Sequence, residues 1–275
     1  MSVIKEWPLS FISKEDFYNH VKKTISKYDS KLESINLSKF NTNIIDPIKL
    51  IFDKAIYAQT WDATIKYEIS RQRDKSNNNE IGYFHQLIFS YIQGCEVPEH
   101  GWDVIFRSKD GITLPTGEVV HTIYVEMKNK HNTMNSSSAG KTVIRMQNQI
   151  LKESNCACFL VEAIAKKSQN IVWSTTVDGD KISNNLIRRV SLDKFYEMVT
   201  GEECAFFQMC SILPDVIDNV VSEEISSIRA PKDSVMSELI EKSKSINCTN
   251  QDLAITLALY LLGFETYSGF STINC

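Results

Sequence analysis

Past Gly94 the hydrophobic pattern changes period, from the three-to-four spacing of helices to strict alternation, and this switch restricts the possible folds more than any other feature. Before it the chain reads as helical. SKEDFYNHVKKTISKY opens with a Ser cap followed by acids, which suit the positive end of a helix dipole. A second helix is expected from about Pro47 through IKLIFDKAIYAQTWDATIKYEI, with Pro in its first turn. The polar run RQRDKSNNN should interrupt it, with Asn78 or Asn79 capping a third helix, EIGYFHQLIFSYIQ. After the switch come a short apolar strand at WDVIF, turn residues in KDGITLPTGEV and a clean alternation in HTIYVEMKNK. KTVIRMQNQILKE reads as a helix with Val143, Ile144, Ile150 and Leu151 on its buried stripe. CACFLVEAIA and NIVWSTT are two more strands, and the remainder reads as mostly helical, with Pro214 breaking or kinking one helix. The reading is an α/β chain, 1–275, forming one domain: helical over 1–95, a core with a central mixed sheet at about 80–176, and a helical C-terminal part at about 181–275.

Composition narrows the class. With 43% hydrophobic residues the chain can build a sizeable core, and only 10 Gly and 6 Pro exclude a collagen-like or Pro/Gly-rich chain. No apolar run approaches the roughly 18 residues of a membrane helix, and the N-terminus lacks a signal-peptide pattern. Seven Cys, an odd number without a CxxC pair, argue against a disulfide framework or a structural zinc site. These features lead us to expect a soluble, cytoplasmic protein. The net charge of −4 excludes a uniformly basic surface but not a local one. Between His121 and Lys152 stand Lys128, Lys130, Lys141, Arg145 and Lys152 against one acid, Glu126.

That basic island contains the most informative residues. Alternation puts Ile123, Val125 and Met127 on one face and Tyr124, Glu126 and Lys128 on the other. Asp103, on the preceding strand of a plausible hairpin, can approach Glu126 across the pair. Two carboxylates brought together repel one another unless a cation lies between them, and hard oxygen ligands suit Mg²⁺. A lysine beside such a site can orient a water and stabilise charge developing at phosphorus. The alternative is an exposed hairpin with ordinary charges, since D…ExK at loose spacing also arises by chance.

The following segment, Asn129 to Ser138, consists almost entirely of hydrogen-bonding groups and contains no acid. Lys130, His131, Asn132, Thr133, Asn135 and Ser136 suit contacts to phosphates and base edges, though a solvated polar loop has the same composition. Ser138-Ala139-Gly140-Lys141-Thr142 resembles the end of a phosphate-binding loop, but the required Gly at 135 is Asn. The exposed amides at that helix N-terminus can still meet a DNA phosphate, and Lys141 beside them is a candidate DNA contact. Gln147 either points toward Glu126 and Lys128 or is a satisfied half-buried glutamine. Glu80 either lies near the carboxylates or is a favourable first-turn acid. Arg71 and Arg73, in the expected helix break, suit solvated charge and DNA contact equally. Of the five histidines only His131 is expected to touch a ligand, and Cys156 and Cys158 read as core residues.

The stretches EIGYFHQLIF, GWDVIF, YVEMKNKHNTMNSSS and KTVIRMQNQ, spanning 80–149, resemble the PD-(D/E)XK nuclease superfamily. More narrowly, they resemble type II restriction endonucleases that recognise GGNCC-type sites. The resemblance implies a restriction-endonuclease-like core, with Asp103 and Glu126 binding Mg²⁺ and Lys128 as the catalytic lysine. Gln147 matches the glutamine often found on the next helix; Trp102 stands where a Pro is common. Also implied are hydrolysis of double-stranded DNA leaving 5′-phosphates, a homodimer on a symmetric site, and a cognate DNA methyltransferase acting on the same site. Rival readings are a structure-selective or repair nuclease with the same core, and a catalytically idle DNA-binding protein.

Overall fold

A computed structural model describes residues 7–31, 34–177, 179–224, 232–246 and 248–264. The chain forms two compact units, Met1–Ser26 with Glu80–Ser226, and Lys27–Asn79 with Ser227–Cys275.

The first unit is built on a mixed sheet of β1 (Cys95–Glu96), β2 (Val104–Thr113), β3 (Val119–Lys130), β4 (Cys156–Ile164), β5 (Asn170–Val177) and β6 (Asp180–Ser191). The strand order is β1-β2-β3-β4-β6-β5. β3 pairs with β4, and β4 with β6, in parallel; the other pairs are antiparallel. A parallel neighbour requires a crossover, and α5 (Ser136–Lys152) supplies it between β3 and β4. The alternation expected for β3 is observed. Ile123 and Val125 enter the main core with Phe84, Ile88 and Phe89, and Met127 packs against it. Tyr124, on the opposite face, packs with Val143 and Met146 of α5.

α1 (Lys14–Lys31) starts where Ser13 caps it, its Oγ accepting from the Asp16 N–H at 3.0 Å. α6 (Leu192–Thr200) and α7 (Ala205–Glu224) complete this core through Leu192, Phe195, Tyr196, Met209 and Val216. Among the described residues no single helix is long and apolar enough to cross a membrane.

The second unit has its own core, in which Phe40, Leu50, Trp61, Ile65, Leu239 and Leu259 meet. It contains α2 (Leu37–Asn41), α3 (Pro47–Ile56), α8 (Val235–Lys244) and α9 (Gln251–Phe264). Cys248 is disulfide-bonded, whereas Cys95, Cys156, Cys158, Cys204 and Cys210 are free thiols.

Several boundaries differ from the sequence reading. The helix expected from Pro47 divides at Tyr57–Thr60, where Ala58 takes a positive φ of 50°. The next helix, α4 (Trp61–Leu87), runs unbroken through RQRDKSNNN and ends in a 3-10 turn, Ile88–Tyr91. Side-chain bonds hold that stretch helical: Arg71 grips Glu68, and Gln72 Nε2 donates to the Phe40 carbonyl at 3.2 Å. The turn-rich KDGITLPTGEV continues β2 to Thr113, with a register shift between Arg107 and Ile112. β6 lies where the helical C-terminal part was expected to begin, because its first half, DKISNN, has Ile182 as its one apolar residue and pairs only with β5. Pro214 is accommodated inside α7. The buried stripe of α5 is Gly140, Val143 and Met146; Ile144 and Leu151 are exposed.

Candidate active site

The hairpin β2–β3 brings the two acids together. Val104 lies opposite Val125, so Asp103, immediately before β2, reaches the far end of the same pairing. Its N–H donates to the Val125 carbonyl at 2.9 Å. Its Oδ2 accepts from the Met127 N–H at 2.6 Å, which fixes the carboxylate against the strand bearing Glu126. On its outer side, Gln86 Nε2 of α4 donates to the Asp103 carbonyl oxygen at 3.1 Å. Burial pushes the Asp103 carboxyl above the usual carboxylate range, and the charge of Glu126 adds to the rise. The Met127 N–H, Lys128 and Arg145 oppose it.

Glu126 is held on both oxygens. Lys128 Nζ donates to Oε1 at 2.7 Å, as expected for alternate residues on one strand face. Arg145 Nη1 donates to Oε2 at 2.7 Å from α5. The Arg145 guanidinium lies over the Trp102 ring, 4.0 Å from its centroid, in cation–π geometry. Trp102 thus forms a shelf beside Asp103.

Among the described residues no group of three or more His, Cys, Asp or Glu converges to hold a metal ion. Asp103 and Glu126 supply hard oxygen donors, and a cation beside them would offset both the burial of the Asp103 carboxyl and the Glu126 charge that adds to its rise. Mg²⁺ is commonly bound by one or two carboxylates with waters and substrate phosphates completing the shell, so this donor set fits.

The other expected site residues are placed as follows. Lys130 is the exposed last residue of β3. His131 is tied by its backbone: its N–H donates to the Ile164 carbonyl at 3.0 Å, and its carbonyl accepts from Arg189 Nη2 at 2.7 Å. Asn132 and Thr133 are exposed, and the Thr133 hydroxyl donates to the Lys130 carbonyl at 2.9 Å. Asn135 is the N-cap of α5, accepting from the Ser138 N–H at 2.8 Å, and Ser136 is the first residue of that helix. The polar loop is therefore shorter than its composition suggested, and Lys141 lies exposed within the helix. Gln147 is half-buried on α5. The contact drawn from α5 to Glu126 comes from Arg145, two residues earlier.

Glu80 is buried on α4, one turn before the buried Phe84. At Gly82, also on α4, an added Cβ would lie 3.1 Å from Asn129 Oδ1. Arg71 and Arg73 belong to the second unit, where Arg71 pairs with Glu68 and Arg73 with Asp233.

Sequence reasoning passed over Arg145 and the pair Glu162–Arg189. Glu162 is the β4 partner of Lys128 in the parallel register and is 1% exposed. Arg189 Nε donates to its Oε1 at 2.8 Å. A glutamate closing an otherwise apolar strand, CACFLVEAI, was the available signal.

The family model described as Eco47II restriction endonuclease matches residues 9–222. The type II restriction enzyme Sau96I of Staphylococcus aureus is 29% identical over 260 residues, covering 90% of this chain and 94% of that protein. The type II restriction enzyme Eco47II of Escherichia coli is 26% identical over 229 residues, covering 79% of this chain and 90% of that protein. With a family match across most of its length and the hairpin inside it, the chain belongs to the Eco47II family of type II restriction endonucleases.

Proposed function

We propose that this chain hydrolyses double-stranded DNA with Mg²⁺ at a short symmetric GGNCC-like site, leaving 5′-phosphates. The observation that carries the reading is the convergence of Asp103, Glu126 and Lys128 at one end of the β2–β3 hairpin. Asp103 and Glu126 would hold the cation, which when bound supplies Lewis acidity at the phosphoryl oxygens. Lys128 acts from the same strand face, orienting a water toward phosphorus and neutralising the charge that develops there. Met127 contributes its N–H, which keeps Asp103 aimed at that point. The segment Lys130 to Ser136, with Lys141 beyond it, faces DNA, and reading a base there couples recognition to the strand that bears Glu126 and Lys128.

A symmetric site is most simply read by a twofold homodimer, each subunit cutting one strand. Such an activity requires a cognate DNA methyltransferase protecting the same site in the cell. The test is plasmid cleavage with and without Mg²⁺, for the parent chain and for Lys128→Ala, with fragment ends mapped. Discrete Mg²⁺-dependent fragments ending in 5′-phosphates at GGNCC-like sites support the reading. Junction-specific cutting or a smear would favour a structure-selective nuclease, and binding without cleavage an idle DNA-binding protein. Lys128→Ala should bind cognate DNA yet cut far more slowly, since the lysine acts in the transition state.

A further inference from the structure

We infer that Arg145 is the resident counter-cation of Glu126 in the metal-free chain, and that it passes to a DNA phosphate when a divalent cation takes that carboxylate. The inference rests on the proposal that Asp103 and Glu126 hold the cation.

Both oxygens of Glu126 are already occupied by positive groups, Lys128 on Oε1 and Arg145 on Oε2, each at 2.7 Å. A cation binding to Glu126 competes with both for the carboxylate's charge and sets a like charge beside them, which favours release of the less anchored one. Lys128 is anchored on the same strand, two residues away, whereas Arg145 reaches over from α5 with 40% of its side chain exposed. Arg145 has somewhere to go. Its guanidinium is stacked on Trp102, a contact that does not depend on Glu126 and that holds the group at the rim of the site. Trp102 is 9% exposed and fixed in the core, packing against Tyr124.

The rim beyond is suited to a polyanion. Lys141, Arg145, Asn148 and Lys152 follow one another along one helical face of α5 and, with Trp102, line a single groove that has no Asp or Glu in its walls. From Lys141 to Lys152 the helix rises ~16 Å, about the length of five nucleotides of one DNA strand. Arg145 is the member of this basic face that also touches the carboxylate. It is a positioning residue in the metal-free state and a phosphate contact in the loaded one.

The experiment measures Mn²⁺ binding directly, by electron paramagnetic resonance without DNA, and duplex binding over a range of salt concentrations with Ca²⁺ in place of Mg²⁺. Arg145→Met should bind Mn²⁺ about two- to tenfold more tightly than the parent, because one competing, partly exposed charge is gone. The slope of log affinity against log salt should become shallower by about 0.9 for the lost phosphate contact. Arg145→Lys should retain the parent slope, while Lys109→Ala, in the irregular middle of β2, should leave both readouts unchanged. Thermal melting checks that each variant folds, and Arg145→Gln replaces the Met variant if it does not.

Unchanged or weaker Mn²⁺ binding in the neutral Arg145 variant, or an unchanged salt slope, overturns the inference. Glu126→Gln separates this failure from that of the underlying proposal. If Glu126→Gln abolishes Mn²⁺ binding, the carboxylate site stands and only the exchange is at issue. If Mn²⁺ binding survives Glu126→Gln, the carboxylate site itself is wrong, and the inference falls with it.

Discussion

Glu126 and Glu162 stand on neighbouring strands, β3 and β4, and each is paired with an arginine. Glu126 is 16% exposed and Arg145 40%, and the two Glu126 oxygens are served by cations from different elements. Glu162 is 1% exposed. Arg189, from the adjacent strand β6, places both donors on one of its oxygens, and Oε2 is buried without a hydrogen-bond partner. Arg189 also reaches the His131 carbonyl, the first residue of the polar loop. A carboxylate at the edge of water can exchange partners at little cost. One removed from water cannot, because losing its partner strands an uncompensated charge. The same two residue types thus give an exchangeable site on one strand and a fixed brace on the next.

Mutations can break or sharpen that contrast. The largest effect is expected at the exchangeable site and on chemistry alone. Asp103→Ala and Glu126→Ala should each lower cleavage by more than about a hundredfold, beyond what disturbing an outer-shell partner costs, while the melting temperature holds. A loss under tenfold in both, at saturating Mg²⁺, would remove these residues from the site.

The brace should show the opposite behaviour. Arg189→Met is expected to cost about 3–5 kcal/mol of folding stability in a denaturant titration, because Glu162 is left buried and unpaired. Glu162→Gln should cost less, since no charge is stranded in the interior. Equal losses for the two would mean that packing, not desolvated charge, sets the value of the pair.

Within the loop, Asn132→Ala should weaken cognate DNA binding by ~1–3 kcal/mol and scrambled DNA hardly at all. Asn135→Ala should in addition cost about 1 kcal/mol of stability, because Asn135 caps α5. Equal losses on both duplexes, titrated at one salt concentration, would identify a phosphate clamp. The smallest effect is expected for Arg145→Met on stability, under about 1 kcal/mol, since Arg145 is 40% exposed and Glu126 keeps Lys128 as a partner. A loss like that of Arg189→Met would erase the distinction between the two pairs.

The parts of the fold legible in the sequence are those where one physical signal dominates. β3 could be read because Ile123, Val125 and Met127 enter the main core while the opposite face, which packs Tyr124 against α5, turns polar at Glu126 and Lys128, so the sharing of a face by those two was legible directly. β6 could not be read in this way. Its central residues Arg188 and Arg189 are charged yet lie in the sheet, where Arg188 is 1% exposed and bonded to Asn170 and Thr116. Burial by pairing leaves no hydrophobic trace. α4 was obscured for a related reason: its Asn-rich stretch has weak helix propensity, and tertiary hydrogen bonds through Gln72 override it. Arg145 was missed because Ile144 drew the buried stripe of α5 one residue out of place; once Gly140, Val143 and Met146 define that stripe, Arg145 faces the groove.

The hairpin also has a consequence for the order in which the molecule is built. The bond between Asp103 and Met127 closes 24 residues, whereas that between Arg189 and His131 closes 58. The longer closure costs only about 0.8 kcal/mol more in chain entropy, but it requires β6, which leaves the ribosome later. The carboxylate pair is a local product, expected early in folding, as contacts of short sequence separation are. The polar loop after β3, proposed above to read DNA, acquires its brace last. During synthesis, then, the acids can meet before the polar segment beside them has been fixed, and that segment is held only when the sixth strand docks.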